Sequence, residues 1–137
     1  MERRLVRKED IADSAIVFEV AIPLLTDPIS GAGTTEANER YLISSNLIQN
    51  ASAAYFEVSY DASALTADGS ADLYDVTAAS AIATITLTAG TASERTRSGN
   101  ILASLTAGNE VKVRVTGDGT NAATLRAARL VLVISIS

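Results

Sequence analysis

Apolar residues recur at every second position along much of this chain, in runs too short for amphipathic helices. In "AIVFEVAI", residues 15–22, Ile16, Phe18 and Val20 share one parity and Glu19 marks the more polar side. This predicts a strand, closed by Pro23. In "AAYFEVSYDAS", Phe56, Val58 and Tyr60 oppose Tyr55, Glu57 and Ser59, which predicts a strand with one buried face. Val111, Val113 and Val115 alternate with Lys112 and Arg114 in the same way. The chain closes on "TLRAARLVLVISIS", where Leu130, Leu132, Ile134 and Ile136 share a parity and Val131 and Val133 stand opposite. A period of two with heavy β-branching predicts a last strand covered on most of both faces. A helix over residues 122–132 is the competing local reading, from propensity alone.

The connections are equally legible. "TDPISGAGTTEAN", residues 26–38, reads as a long loop, either an irregular crossing between two sheets or a contact loop in an assembly. Arg40 to Leu47 is a short strand candidate. Asp68-Gly69 and Gly117-Asp118-Gly119 are turn signals. "ADLYDVT" and "AASAIATITLTAG" fit two strands joined near Ala78 to Ser80, in preference to a helix over 78–83. About eight short strands predict an all-β fold: a single antiparallel β-sandwich, jelly-roll-like, over residues 14–137. Residues 1–13 form a separate N-terminal arm.

Composition narrows the chemistry. The chain has neither cysteine nor histidine, which removes the usual zinc ligands and the commonest general base near neutral pH. A net charge of -5 argues against direct nucleic-acid binding, which needs a broad basic surface. Asp13 and Glu19 interrupt what would be the apolar part of a leader, so no signal peptide is expected. The run Leu130 to Ile136 falls far short of the ~20 residues of a membrane-spanning helix, so no membrane association is expected.

Asp68, Asp72 and Asp75 lie close in sequence and are weak candidates for a metal site. The final glutamate of a helix-loop-helix calcium loop is missing, and turn-forming or solvated acids are the plainer reading. Serines lack a histidine partner, and a Ser–Lys arrangement would have to recruit Lys8 or Lys112, the only lysines. No catalytic residue, no cofactor and no enzymatic activity are expected.

The arginines offer more. Arg95 and Arg97 share a parity, whereas Arg126 and Arg129 cannot share a face at strict period two. They are candidate interface residues, or partners for carboxylates such as Glu94 and Glu110. In the arm, Arg3, Arg4, Leu5, Val6, Arg7 and Lys8 are candidate contacts. The apolar pair gains from burial against a partner, and the basic residues suit an acidic surface.

Three passages, "DLYDVTAASA", "TRSGNILASLTAGNEVKVRV" and "AATLRAARLVLV", together resemble small β-sandwich modules of phage virion proteins and bacterial surface proteins. The resemblance covers nearly half the chain, all in its second half, and departs at "AIATITLTAG". It implies that Leu73 to Thr77 form one strand and that Arg97 and Ser98 open the next pattern. It also implies a turn flanked by Gly108 and Glu110, with Arg126 to Leu130 leading into the closing strand. Its functional implication is a virion structural protein: first a capsid decoration or cement protein, second a tail or fibre component. The implied partners are further copies of the chain, with a trimer favoured, and a major capsid or other virion protein. The implied location is the virion, after assembly in the host cytoplasm. A carbohydrate-binding module using Tyr55 or Tyr74 is the alternative from another class.

Overall fold

The computed structural model describes residues 16–136. Ten strands occur in chain order: β1 (Ile16–Pro23), β2 (Ile29–Gly31), β3 (Thr34–Glu36), β4 (Tyr41–Leu42), β5 (Ala51–Asp61), β6 (Gly69–Asp75), β7 (Ser80–Leu87), β8 (Ala92–Arg97), β9 (Glu110–Thr116) and β10 (Ala123–Ile136). One short helix, α1 (Ser45–Gln49), precedes β5, and a 3-10 turn at Leu102–Ser104 precedes β9.

The strands form two five-stranded antiparallel sheets. In the first, the order is β1-β10-β5-β8, with β2 continuing along β10 beyond β1. In the second it is β3-β9-β6-β7, with β4 on β9 beside β3. With β1–β2 and β3–β4 taken as two interrupted edge strands, eight runs remain. The first pairs with the last, the second with the seventh, the third with the sixth and the fourth with the fifth. That nesting is the jelly-roll connectivity, in which a long folded ribbon closes into two packed sheets.

The inward parities meet between the sheets. Phe56 and Val58 of β5, Leu125, Leu130 and Leu132 of β10, Leu73 of β6, Leu87 of β7 and Val113 and Val115 of β9 are all at most 1% exposed. Burying side chains of this size stabilises the fold by roughly 1.5–3 kcal/mol each. The last strand lies between β1 and β5, and Val131 on its outward parity is also buried. It is therefore a central strand, buried along its inner face and, at Val131, on its outer face as well, and the helical alternative at 122–132 does not form.

Two local readings need correction. The stretch 26–38 does cross between the sheets, but it contains β2 and β3 rather than uninterrupted loop. The strand expected over 40–47 shrinks to β4, because the Ser44 hydroxyl accepts a hydrogen bond from the Leu47 N–H and starts α1. The crossing itself is tight. A Cβ at Gly117 would lie 2.6 Å from the Gly31 carbonyl oxygen, and the Gly119 N–H donates to the Ala32 carbonyl.

Candidate functional site

The outward face of the first sheet gathers Arg95, Arg97, Arg126 and Arg129, four of the six arginines among the described residues. Glu57 on β5 stands opposite Arg97 of β8 on one side and Arg129 of β10 on the other. Residues directly opposite in an antiparallel pair share a face, so three charges converge. Arg97 donates to Glu57 Oε2 from Nε at 3.0 Å and from Nη2 at 2.8 Å. Arg129 Nε donates to Oε1 at 3.1 Å, and Arg95 Nε lies 3.3 Å from the same oxygen. The Glu57 side chain is left only 3% exposed. Arg97 also reaches the opposite edge strand, where both of its terminal nitrogens donate to Glu19, at 2.8 and 3.1 Å. These bonds hold the Glu19 carboxyl below its ordinary pKa and raise that of the Arg97 guanidinium.

Arg126 joins this face through an irregularity. The β10–β5 register slips between Leu125 and Ala127, so Arg126 is an extra residue in its strand. It bonds to Asp61 at 3.1 Å, on the same side of β5 as Glu57. The strict alternation that separates Arg126 from Arg129 in the sequence is thus broken by one bulge. All four candidate arginines come together, and their carboxylates are Glu57, Glu19 and Asp61, not Glu94 or Glu110.

The second sheet carries a smaller ladder outside. Glu36, Arg114, Asp72 and Thr84 form one cross-strand row over β3, β9, β6 and β7. Arg114 Nη2 and the Thr84 hydroxyl both donate to Asp72, at 3.0 and 2.8 Å, and Lys112 bonds to Glu36. The Arg114 guanidinium lies 3.9 Å from the centre of the Tyr74 ring, a cation–π contact. Arg97 stands 5.0 Å from the centre of the Tyr55 ring. Tyr55 and Tyr74 therefore belong to different sheets, and each ring already has a guanidinium over it.

The three clustered aspartates separate. Asp72 faces outward with Arg114, while Asp75 is buried on the other parity of β6 and accepts from the Ala78 N–H and the Asn109 amide. Asp68 accepts from the Ala89 N–H. Among the described residues no three potential metal ligands come together. Asp118 is a turn-builder, as its glycine neighbours indicate. Asn121 N–H, Thr120 N–H and the Thr66 N–H and hydroxyl all donate to it, and these bonds hold its carboxyl far below the ordinary range.

A cleft of about 220 Å³ opens past the end of β1, lined by Pro23, Leu24, Leu25, Glu39, Tyr41 and Lys112, among others. Glu39 is its single lining carboxylate, and Thr26 holds it through both hydroxyl and N–H. Before the cleft lies the least covered apolar surface of the described residues. Ile16, Val17, Phe18 and Val20 of β1 are 40–58% exposed. Phe18 and Val20 face inward, opposite Ile134 and Leu132, but lie at the sheet's edge where the second sheet does not reach. The arm candidates Arg3, Arg4, Leu5, Val6, Arg7 and Lys8 lie outside the described residues.

Fold and surface together define a class: a jelly-roll β-sandwich in which six of the seven basic side chains among the described residues are paired with carboxylates. Neither a family model nor a curated protein sequence matches the chain. Among the described residues, no helix is long and apolar enough to cross a membrane.

Proposed function

We propose that this chain is a non-enzymatic structural protein of a virus particle, a capsid decoration or cement protein that works by self-assembly and contact with a shell protein. The observation that carries this reading is the division of its surface. Six of the seven basic side chains in the described residues are in ion pairs, whereas four large apolar side chains on β1 have little cover. Such a surface suits association better than turnover. The jelly roll serves capsids and lectins alike, so the fold enters only as analogy. The resemblance of the second half of the chain to phage virion modules tips the balance toward the particle. The arginine-covered tyrosines count against a sugar-stacking platform, because the ring faces are already in use.

The test is location and attachment. Antibody-gold labelling of particles from the source cells, with recovery of the chain in a fixed ratio to a shell protein, is the expected result. A chain that stays soluble, separate from any particle, and binds an immobilised glycan array overturns the reading. Removing residues 1–10 is expected to leave the melting curve of the sandwich unchanged while weakening attachment to the particle. Among the described residues the buried core runs from Leu24 to Leu132 and is closed by the two sheets. Attachment as tight as that of the full chain would refute the role of the arm.

A further inference from the structure

β1 differs from every other sheet edge of the described residues. Edges are normally protected by charges, bulges or brevity, because a bare row of N–H and C=O groups recruits another strand. β8 carries Glu94, Arg95 and Arg97 and pairs through a register slip. β7 alternates threonines outward and also pairs through a slip. β3 and β4 are three and two residues long. β1 instead keeps an unbroken eight-residue register with β10, and its one charge, Glu19, is tied down by Arg97. Its apolar side chains stand exposed on both faces, Val17 outward and Phe18 and Val20 inward.

We propose that β1 pairs antiparallel with β1 of a second copy, about a two-fold axis at Glu19, joining two five-stranded sheets into one continuous sheet. The segment Ile16-Val17-Phe18-Glu19-Val20-Ala21-Ile22 is nearly palindromic about that residue. The axis sets Ile16 against Ile22, Val17 against Ala21 and Phe18 against Val20 of the other copy, so one apolar strip meets itself, as an isologous interface requires. Each Glu19 brings its own Arg97 guanidinium, so two carboxylates meet at the axis with two cations beside them.

A single strand pair alone falls short of the ~800 Å² per partner of a stable complex. The association is therefore weak and depends on concentration. A two-fold pairing takes the place of the trimer that the resemblance implies. It rests on the surface of β1 and holds whether or not the chain belongs to a particle.

Sedimentation of the full chain over a concentration series tests this. The expected result is reversible conversion from 14.2 kDa to twice that mass. Phe18→Lys and Val17→Lys should each raise the dissociation constant about tenfold or more without changing the melting curve, because both positions are solvent-accessible. The protein has no cysteine, so the double variant Val17→Cys, Ala21→Cys should give a covalent dimer on mild oxidation. A monomer at every concentration overturns the proposal, as does a dimer insensitive to both lysine substitutions. A trimer unaffected by them also overturns the edge pairing while leaving self-assembly in place. Loss of edge pairing with particle attachment intact leaves the decoration reading standing.

Discussion

Glu57 shows how a polar parity becomes buried. Its alternation with Phe56 and Val58 marks it as outward-facing, and so it is. Yet arginines from the two flanking strands fold over it until almost no water reaches it. A carboxylate removed from water costs several kcal/mol unless charged hydrogen bonds replace its hydration, and here Arg97 and Arg129 supply three. Glu57→Gln is therefore expected to destabilise the fold by about 1–2 kcal/mol. Thermal melting should show a loss of about 3–8 °C. Arg95→Ala should change stability by no more than ~0.5 kcal/mol, because its side chain is 73% exposed and makes one long contact. Equal effects from the two substitutions would mean that Glu57 is not caged as described. Asp118 makes a pH prediction. Its folded pKa lies below the ordinary carboxylate value, so its stabilisation is fully present above about pH 4–5 and is lost as pH falls toward the folded value. Asp118→Asn should lower the melting temperature at pH 7, and the gap from the parent should narrow below about pH 4. A gap constant down to pH 2 would show that the charge of Asp118 contributes nothing.

Among the elements, β10 carries the most. It pairs with β1, β2 and β5, and it feeds the core with Leu125, Leu130 and Leu132 while sending arginines to the outer face. Leu132→Asp would place a carboxylate at a position 1% exposed, among the apolar side chains of the core. The cost is more than ~4 kcal/mol, a large share of a typical domain's stability. Loss of the cooperative melt, or insoluble expression, is the expected outcome; a parent-like circular dichroism melt would show that this strand is not interior. Strand parity was readable for β1, β5, β9 and β10 because branched residues alternate there without interruption. The bulge at Arg126 was not, because a register slip depends on the partner strand and leaves no mark in the local alternation. α1 was hidden for another reason: its apolar residues Leu47 and Ile48 continue an apparently strand-like run.

At the scale of the whole molecule, the nested pairing leaves four sheet edges, and three are blunted by charge, a register slip or shortness. The alternation in β1 predicts a strand with a drier and a more polar side, and that much holds. Phe18 and Val20 do point to the inner side, but β1 is at the margin of its sheet and the opposing sheet does not cover it. Parity reports which side of a sheet a residue faces; it carries no information on whether another layer lies above. The same limit applies to the arginines. Their enrichment before the last strand was visible, whereas their common meeting point on Glu57 required three strands to be set side by side.

The amino-acid sequence by itself determined the all-β character, the two-faced strands and the placement of the closing segment, because all three follow from local periodicity and the steric preferences of branched side chains. Only the tertiary structure decided which strands lie at edges, which acids meet which arginines and where apolar surface goes uncovered. Those properties depend on strand order and register, which bring together residues far apart in the sequence; Arg97 and Glu19 are 78 positions apart, and Ser30 and Thr124 are 94 apart.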